Sequence, residues 1–323
     1  MTPSRGKILV IRGGAIGDFI LTLPAIAALR NHFPGAHLEV LGYPHIVQLA
    51  LAGGLVDRVQ SIEARALAGF FARGGRLEPD LVDYFSEFDL IISYLYDPDE
   101  IFRSNVGRCA HAQFIAGPHR PDENEAVHAA QVYLKPLERL AIFDADPLPR
   151  LSFDPCHEHG TADLPASQDA RQRVPTIALH PGSGSEKKNW PETKWAELMQ
   201  HLLGATSLNL LLVGGEAECE RLQRLGAALP PTRVRVTQSL PLPELARRLQ
   251  QCVAFIGHDS GISHLSAALG LPCLVLWGDT VEGIWRPPHK NVVIIKNKRG
   301  LGTITVNHVL KELKPLLNGR DQT

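Results

Sequence analysis

The feature that most constrains the fold is an alternation of two patterns along the chain. Short unbroken apolar runs occupy 8–11, 38–41, 90–94, 176–180, 208–213, 253–256 and 273–277. Longer stretches with helical spacing occupy 25–32, 195–203, 216–229, 242–251 and 262–269, and a last one spans 306–317. A strand that is apolar on both faces has to be covered on both faces, which is the situation of a central parallel strand. Strands of this kind alternating with helices predict an α/β fold built on parallel sheets.

The rhythm breaks between 144 and 175. That stretch carries Pro147, Pro149, Pro155, Pro165 and Pro175 and no sustained helical period. It divides the chain into a first domain (1–150), a linker (151–175) and a second domain (176–323). The last helical stretch packs on the second domain or returns to the first. The cleft between two such halves is the default ligand site. Lys and Arg number 33 against 34 Asp and Glu, for a net charge of −1. This balance argues against a broad basic face for nucleic acid. No charged-then-apolar leader opens the sequence, and no apolar run reaches the ~18 residues of a membrane span. Cys109, Cys156, Cys219, Cys252 and Cys273 form no C-x-x-C pair and read as buried, reduced thiols of a cytoplasmic protein.

In open α/β sheets, ligands bind beyond the carboxyl ends of the strands. The unusual residues of this chain cluster there. Arg12-Gly13-Gly14-Ala15-Ile16-Gly17-Asp18 follows the first run. Its adjacent glycines are not the G-x-G-x-x-G of a dinucleotide fingerprint. Asp18 stands where the next helix begins, either as a cap on its amides or as a general base. Pro24 is expected to open a second helical segment. The stretch from His180 to Pro191, with Gly182-Ser183-Gly184-Ser185 and Lys187-Lys188, offers amide and hydroxyl donors and positive charge, which suits a diphosphate. Gly257-His258-Asp259-Ser260-Gly261-Ile262-Ser263-His264 follows another run and opens a helix, so Asp259 or Ser260 can cap it. Taken alone, His264 reads as a core histidine. Gly214-Gly215-Glu216 and Trp277-Gly278-Asp279-Thr280 repeat the theme. A nucleotide held mainly by the second half accounts for this concentration.

Other signals are weaker. Asp97-Pro98-Asp99 reads as a Pro-containing turn rather than a metal pair. His157-Glu158-His159 lacks a further ligand, so no metal is assigned. Arg73, Arg76, Arg103, Arg108 and Arg120 are solvated surface or anchors for an anionic acceptor.

At these residues the chain resembles glycosyltransferase family 9, the bacterial ADP-heptose heptosyltransferases. Arg12, Ile16-Gly17-Asp18, Leu21, Pro24 and Phe33-Pro34 match its opening motif. His180-Pro181-Gly182-Ser183, Lys188, Trp190-Pro191 and Trp195 match the second. Asp259-Ser260-Gly261, His264-Leu265, Ala267-Ala268, Gly270, Pro272, Gly278-Asp279-Thr280 and Trp285 match the third. The resemblance implies a GT-B architecture: two facing Rossmann-like domains with parallel sheets and an interdomain cleft, the donor nucleotide on the second. It implies inverting transfer of a heptose from ADP-heptose to a bacterial glycan, with the lipopolysaccharide inner core as acceptor and no metal or cofactor. Asp18 falls on the catalytic base and Lys188 on the donor diphosphate. Gly17, Ser183, Gly184, Lys187, Glu216, Asp259, Ser260, Gly261 and His264 fall on the donor site, with Glu216 at the ribose. The implied partners are a nucleotide-sugar donor and a glycan or glycolipid acceptor, met from the cytoplasm with at most peripheral membrane contact. Two alternatives stay open. Another nucleotide-sugar enzyme, such as an epimerase, would consume donor without acceptor, and a non-catalytic nucleotide-sugar-binding protein would not need Asp18.

Overall fold

A computed structural model of the chain describes residues 6–153 and 174–318. The chain forms two compact units, Met1–Leu151 and Ser152–Thr323. The His157-Glu158-His159 triplet, Cys156 and most of the proposed linker lie outside the described residues.

The first unit runs β1 (Lys7–Arg12), α1 (Ile16–His32), β2 (His37–Gly42), α2 (Pro44–Ala52), β3 (Arg58–Ser61), α3 (Pro79–Ser86), β4 (Leu90–Ser93), α4 (Ile101–Val106), β5 (Gln113–Ala116) and α5 (Ala129–Leu134). Its strands order as β3-β2-β1-β4-β5. The second runs β6 (Thr176–Leu179), α6 (Glu192–Ala205), β7 (Asn209–Gly214), α7 (Cys219–Ala227), β8 (Val234–Gln238), α8 (Leu242–Gln250), β9 (Ala254–His258), α9 (Gly261–Ala268), β10 (Cys273–Trp277), α10 (Glu282–Trp285), β11 (Val292–Lys296) and α11 (Val306–Asn318). Its order is β11-β10-β9-β6-β7-β8. Every strand pair among the described residues is parallel.

The buried runs explain the centre of each sheet. Leu9, Val10 and Ile11 of β1 and Leu274, Val275 and Leu276 of β10 are fully buried, so side chains on both faces of these strands are covered. Four strands were not read from the sequence: β3, β5, β8 and β11. All four are sheet edges. An edge strand pairs on one side only and is less covered. In β8 only Val234 and Thr237 are buried, so no unbroken apolar run marks it.

Helix α1 corrects the expectation for Pro24. The helix is continuous from Ile16 and carries Pro24 in its interior, so Pro24 does not open a second segment. A proline there gives up one backbone hydrogen bond. Burial offsets the loss, because Phe19, Ile20, Leu21, Leu23, Ala25 and Ile26 are all at most 1% exposed. Cys109 and Cys219 are half-buried rather than buried.

In the second unit, Trp190 and Trp195 meet edge to face at 5.5 Å, and the Trp190 indole N–H donates to the Ile304 carbonyl at 3.0 Å. Helix α11 belongs to this core. Val309 and Leu313 join the cluster containing Leu274, Leu276 and Trp195. Truncating Leu313 to Ala removes core volume that its neighbours cannot refill. Urea unfolding of Leu313→Ala is expected to show the second unit destabilised by about 2–5 kcal/mol. A midpoint equal to that of wild type would show that the last helix is not part of that core.

Candidate functional site

The first unit presents Asp18 at the carboxyl end of β1. Gly14 has φ +96°, a conformation that suits glycine and turns the chain from strand to helix. Asp18 is the third residue of α1, not its N-cap: that position is Ala15, whose side chain makes no cap. Asp18 Oδ2 instead accepts the Ala15 amide at 2.9 Å, satisfying one free donor of the first turn. Capping and a carboxylate function are therefore partly combined in one side chain. Gly17 precedes Asp18 in the same turn of the first unit.

Arg12 organises this corner. Its guanidinium is buried, at 3% exposure. It donates to the carbonyls of His119 (2.8 Å), Tyr94 (3.4 Å) and Asp18 (3.4 Å). Its Nη2 lies 3.6 Å from Asp18 Oδ1, and its carbon sits 4.5 Å from the centre of the Tyr133 ring. A buried cation needs such partners to offset lost hydration. Arg12 therefore ties Asp18 to the segments following β4 and β5. Asp97, read as part of a turn, accepts the amides of Phe102 and Arg103 and so starts α4.

The second unit gathers its residues at the ends of β6, β7, β9 and β10. The loop after β6 is held at several points. His258, fully buried at the end of β9, accepts the Trp190 amide on Nε2 at 2.8 Å. Its Nδ1 bonds the Gly182 carbonyl at 3.0 Å, so Nδ1 carries the proton. Arg221 donates to the Pro181 carbonyl at 3.0 Å and to both oxygens of Glu186 at 2.7 Å. Glu218 accepts the Gly184 amide at 3.3 Å and the Gly215 amide at 2.9 Å, joining the loops after β6 and β7. A Cβ on Gly182 would come within 2.1 Å of Glu218 Cγ, so only glycine lets the two loops approach this closely.

Within this frame Ser183 Oγ lies 2.9 Å from the Ser185 carbonyl and 2.8 Å from Asn189 Oδ1. Lys187 and Lys188 lie in a 3-10 turn, Glu186–Lys188. Lys188 Nζ reaches Asp259 Oδ2 at 2.9 Å. Thr280, after β10, donates its hydroxyl to the same oxygen. The Lys188 side chain is 41% exposed and that of Asp259 9%, so the pair lies at the surface with the lysine as its solvent-facing member. Ser260 is the N-cap of α9, but neither it nor Asp259 caps through its side chain. Ser260 Oγ lies 3.4 Å from His180 Nδ1. Gly261 begins α9 and His264 follows one residue short of a turn later, buried on the same short helix.

The structure thus brings together Ser183, Gly184, Lys188, Asp259, Ser260, Gly261 and His264 in the second unit. Glu216 is exposed at the end of β7, beginning a 3-10 turn Glu216–Glu218. The sequence reading missed His258, Glu218 and Arg221. Each supports a loop from outside it, and the distance along the chain hides that role.

Parallel strands with glycine- and hydroxyl-rich loops at their carboxyl ends, repeated in two units, define an α/β fold of the GT-B kind. The family model for glycosyltransferase family 9 (heptosyltransferase) matches residues 149–310. Lipopolysaccharide heptosyltransferase 1 of Salmonella typhimurium strain LT2 is 37% identical over 300 residues, covering 86% of this chain and 90% of that protein. Lipopolysaccharide heptosyltransferase 1 of Escherichia coli K12 is 32% identical over 330 residues, covering 96% and 100%. The solved structure of E. coli ADP-heptose lipopolysaccharide heptosyltransferase II matches with a TM-score of 0.77 at 21% identity, over 98% of this chain and 99% of that one, a likeness of fold. The chain belongs to glycosyltransferase family 9 and is a glycosyltransferase.

The buried imidazoles set a pH dependence. Burial pulls His258 down to about 3 and His180 to about 4, so both stay neutral near pH 7. The unfolded chain takes up these protons near pH 6.5. Their contribution is therefore complete above about pH 6.5 and is lost as pH falls toward the folded values. Urea unfolding of wild type is expected to lose stability from pH 7 to 5, and His258→Asn to remove up to about 1 kcal/mol per pH unit of that slope. Equal slopes in the two proteins would show that His258 is not held neutral.

Proposed function

We propose that this glycosyltransferase moves a heptose from ADP-heptose to a hydroxyl of the lipopolysaccharide inner core, with inversion at the anomeric carbon. The observation that carries the reading is the Lys188–Asp259 pair at the amino end of α9, in a chain 37% identical to a lipopolysaccharide heptosyltransferase 1. A half-exposed ammonium beside the amides of a helix start is a natural seat for a diphosphate. The similarity to lipopolysaccharide heptosyltransferases, and in fold to an ADP-heptose lipopolysaccharide heptosyltransferase of E. coli, supports the donor.

In this mechanism the acceptor hydroxyl oxygen forms a bond to the anomeric carbon. The bond from that carbon to the diphosphate oxygen breaks, and ADP leaves with the electron pair. Asp18 accepts the hydroxyl proton. Arg12 and the Ala15 amide hold its carboxylate in place. Lys188 steadies the charge that develops on the leaving diphosphate, while Asp259 and Thr280 keep its ammonium oriented. Ser183, Gly184, Ser260, Gly261 and His264 line the donor seat, and Lys187 belongs to it by its place in the loop after β6. Glu216, exposed after β7, meets the ribose, and Gly17 acts through the turn that carries Asp18. The chemistry needs no metal and no resident cofactor. No helix of the described residues is long and apolar enough to cross a membrane. The reading places the enzyme in the cytoplasm, touching the inner membrane face at most peripherally to reach a lipid-linked acceptor.

Mass spectrometry of reactions with ADP-heptose and deacylated, heptose-free lipopolysaccharide core tests this directly. One added heptose and stoichiometric ADP are expected without added metal. Asp18→Asn, which can still accept the Ala15 amide, is expected to lower kcat by about 10²–10⁴-fold with donor affinity nearly unchanged. Lys188→Ala is expected to lower donor affinity and turnover together by up to about two to three decades. Donor consumption without acceptor, or an Asp18→Asn enzyme within about tenfold of wild type, would contradict the mechanism.

A further inference from the structure

The first unit contains a cavity of about 240 Å³ beyond the carboxyl ends of β4 and β5. We propose that it is a subsite for one pyranose ring of the acceptor, with Tyr96 as the surface on which the ring stacks. The proposal rests on the reading above, that the enzyme glycosylates a glycan.

Three observations carry it. The first is place and size. The cavity lies at the strand-end edge where open α/β sheets bind ligands. It is smaller than the roughly 300–1,000 Å³ of pockets for drug-sized ligands, so it suits a single ring and not a nucleotide.

The second is its lining. Tyr96 is 71% exposed, the most exposed of the large apolar side chains among the described residues. Its ring lies 4.6 Å from that of His119, tilted by 59°, so the two rings form an angled aromatic corner. The charged groups of the wall are already engaged. Asp97 accepts the amides of Phe102 and Arg103, and Arg103 donates to Glu100 at 2.8 Å. With these groups engaged, what the wall leaves open to a ligand is aromatic surface. A sugar ring matches that chemistry, because its faces carry C–H groups and its rim carries hydroxyls. An aromatic ring with a polar edge packs on such a face at little conformational cost.

The third is the connection to Asp18. Arg12 donates to the carbonyls of Tyr94 and His119, the segments that carry the two rings, and the same guanidinium faces the Asp18 carboxylate. One buried cation therefore fixes both the aromatic corner and the candidate base. A ring seated on Tyr96 would be registered against Asp18 through backbone rather than through mobile side chains.

Steady-state kinetics of wild type, Tyr96→Ala and Tyr96→Phe with deacylated, heptose-free lipopolysaccharide core test the proposal. Tyr96→Ala is expected to raise the acceptor KM about tenfold, within the range for losing one stacked ring, with the donor KM and the thermal midpoint unchanged. Tyr96→Phe, which keeps the ring, is expected to restore most of the acceptor affinity. An acceptor KM in Tyr96→Ala equal to that of wild type would overturn the subsite and leave the functional reading standing. If wild type transfers nothing to this core, the functional reading fails instead. Calorimetric titration of the same core into wild type and Tyr96→Ala then decides the subsite. Weaker binding by the variant supports it, and equal affinity or no binding to wild type overturns it.

Discussion

The two hydrogen bonds of His258 hold both ends of the loop that follows β6. One ring nitrogen takes the Trp190 amide and the other bonds the Gly182 carbonyl, with the imidazole fully buried at the end of β9. The loop between these points carries Ser183, Gly184 and Lys188. Without the clamp, its glycines and serines would be free to wander, and a phosphate site would have to be ordered by the ligand at an entropic cost. With it, and with Glu218 and Arg221 bracing the same loop, Lys188 comes to rest against Asp259. The neutral state of His258 is part of the device, because only the neutral ring donates on one side and accepts on the other.

The first unit solves a related problem with a charge instead of a neutral ring. Arg12 is buried among carbonyls and an aromatic face, and it touches Asp18 both at the backbone and at the carboxylate. In the proposed mechanism Asp18 is the general base, and such a group must hold its position to a fraction of an ångström to be effective. Asp18 gains that position from the Ala15 amide on one oxygen and from Arg12 near the other. In each unit, a buried polar residue near a strand end braces the half-buried group to which the proposed mechanism assigns chemistry.

The central strands were legible because burial on both faces writes itself as unbroken apolar runs, as in β1 and β10. The edges β3 and β8 were not, since they mix polar and apolar residues much as a loop does, and β11 was missed although Val292-Val293-Ile294-Ile295 is itself an apolar run; β5 carries only the short Phe114-Ile115-Ala116. Helix α1 was cut short at Pro24 because local propensity was followed where tertiary burial prevailed. Among the site residues, Asp18, Lys188 and Asp259 stood out by type and by their place after apolar runs. The supports Glu218 and Arg221 did not, because each acts on a loop more than thirty residues away. The Tyr96 corner was equally invisible, since it exists only once the segments after β4 and β5 lie side by side.

The proposed function requires the second unit to hold the adenine nucleotide of a sugar donor. Calorimetric titration of ADP, UDP, GDP and NAD into the protein in metal-free buffer is the decisive measurement. ADP is expected to bind in preference to the other three, without a metal ion. A preference for UDP or GDP would contradict the assigned donor, and binding of NAD alone would contradict the glycosyl-transfer reading itself.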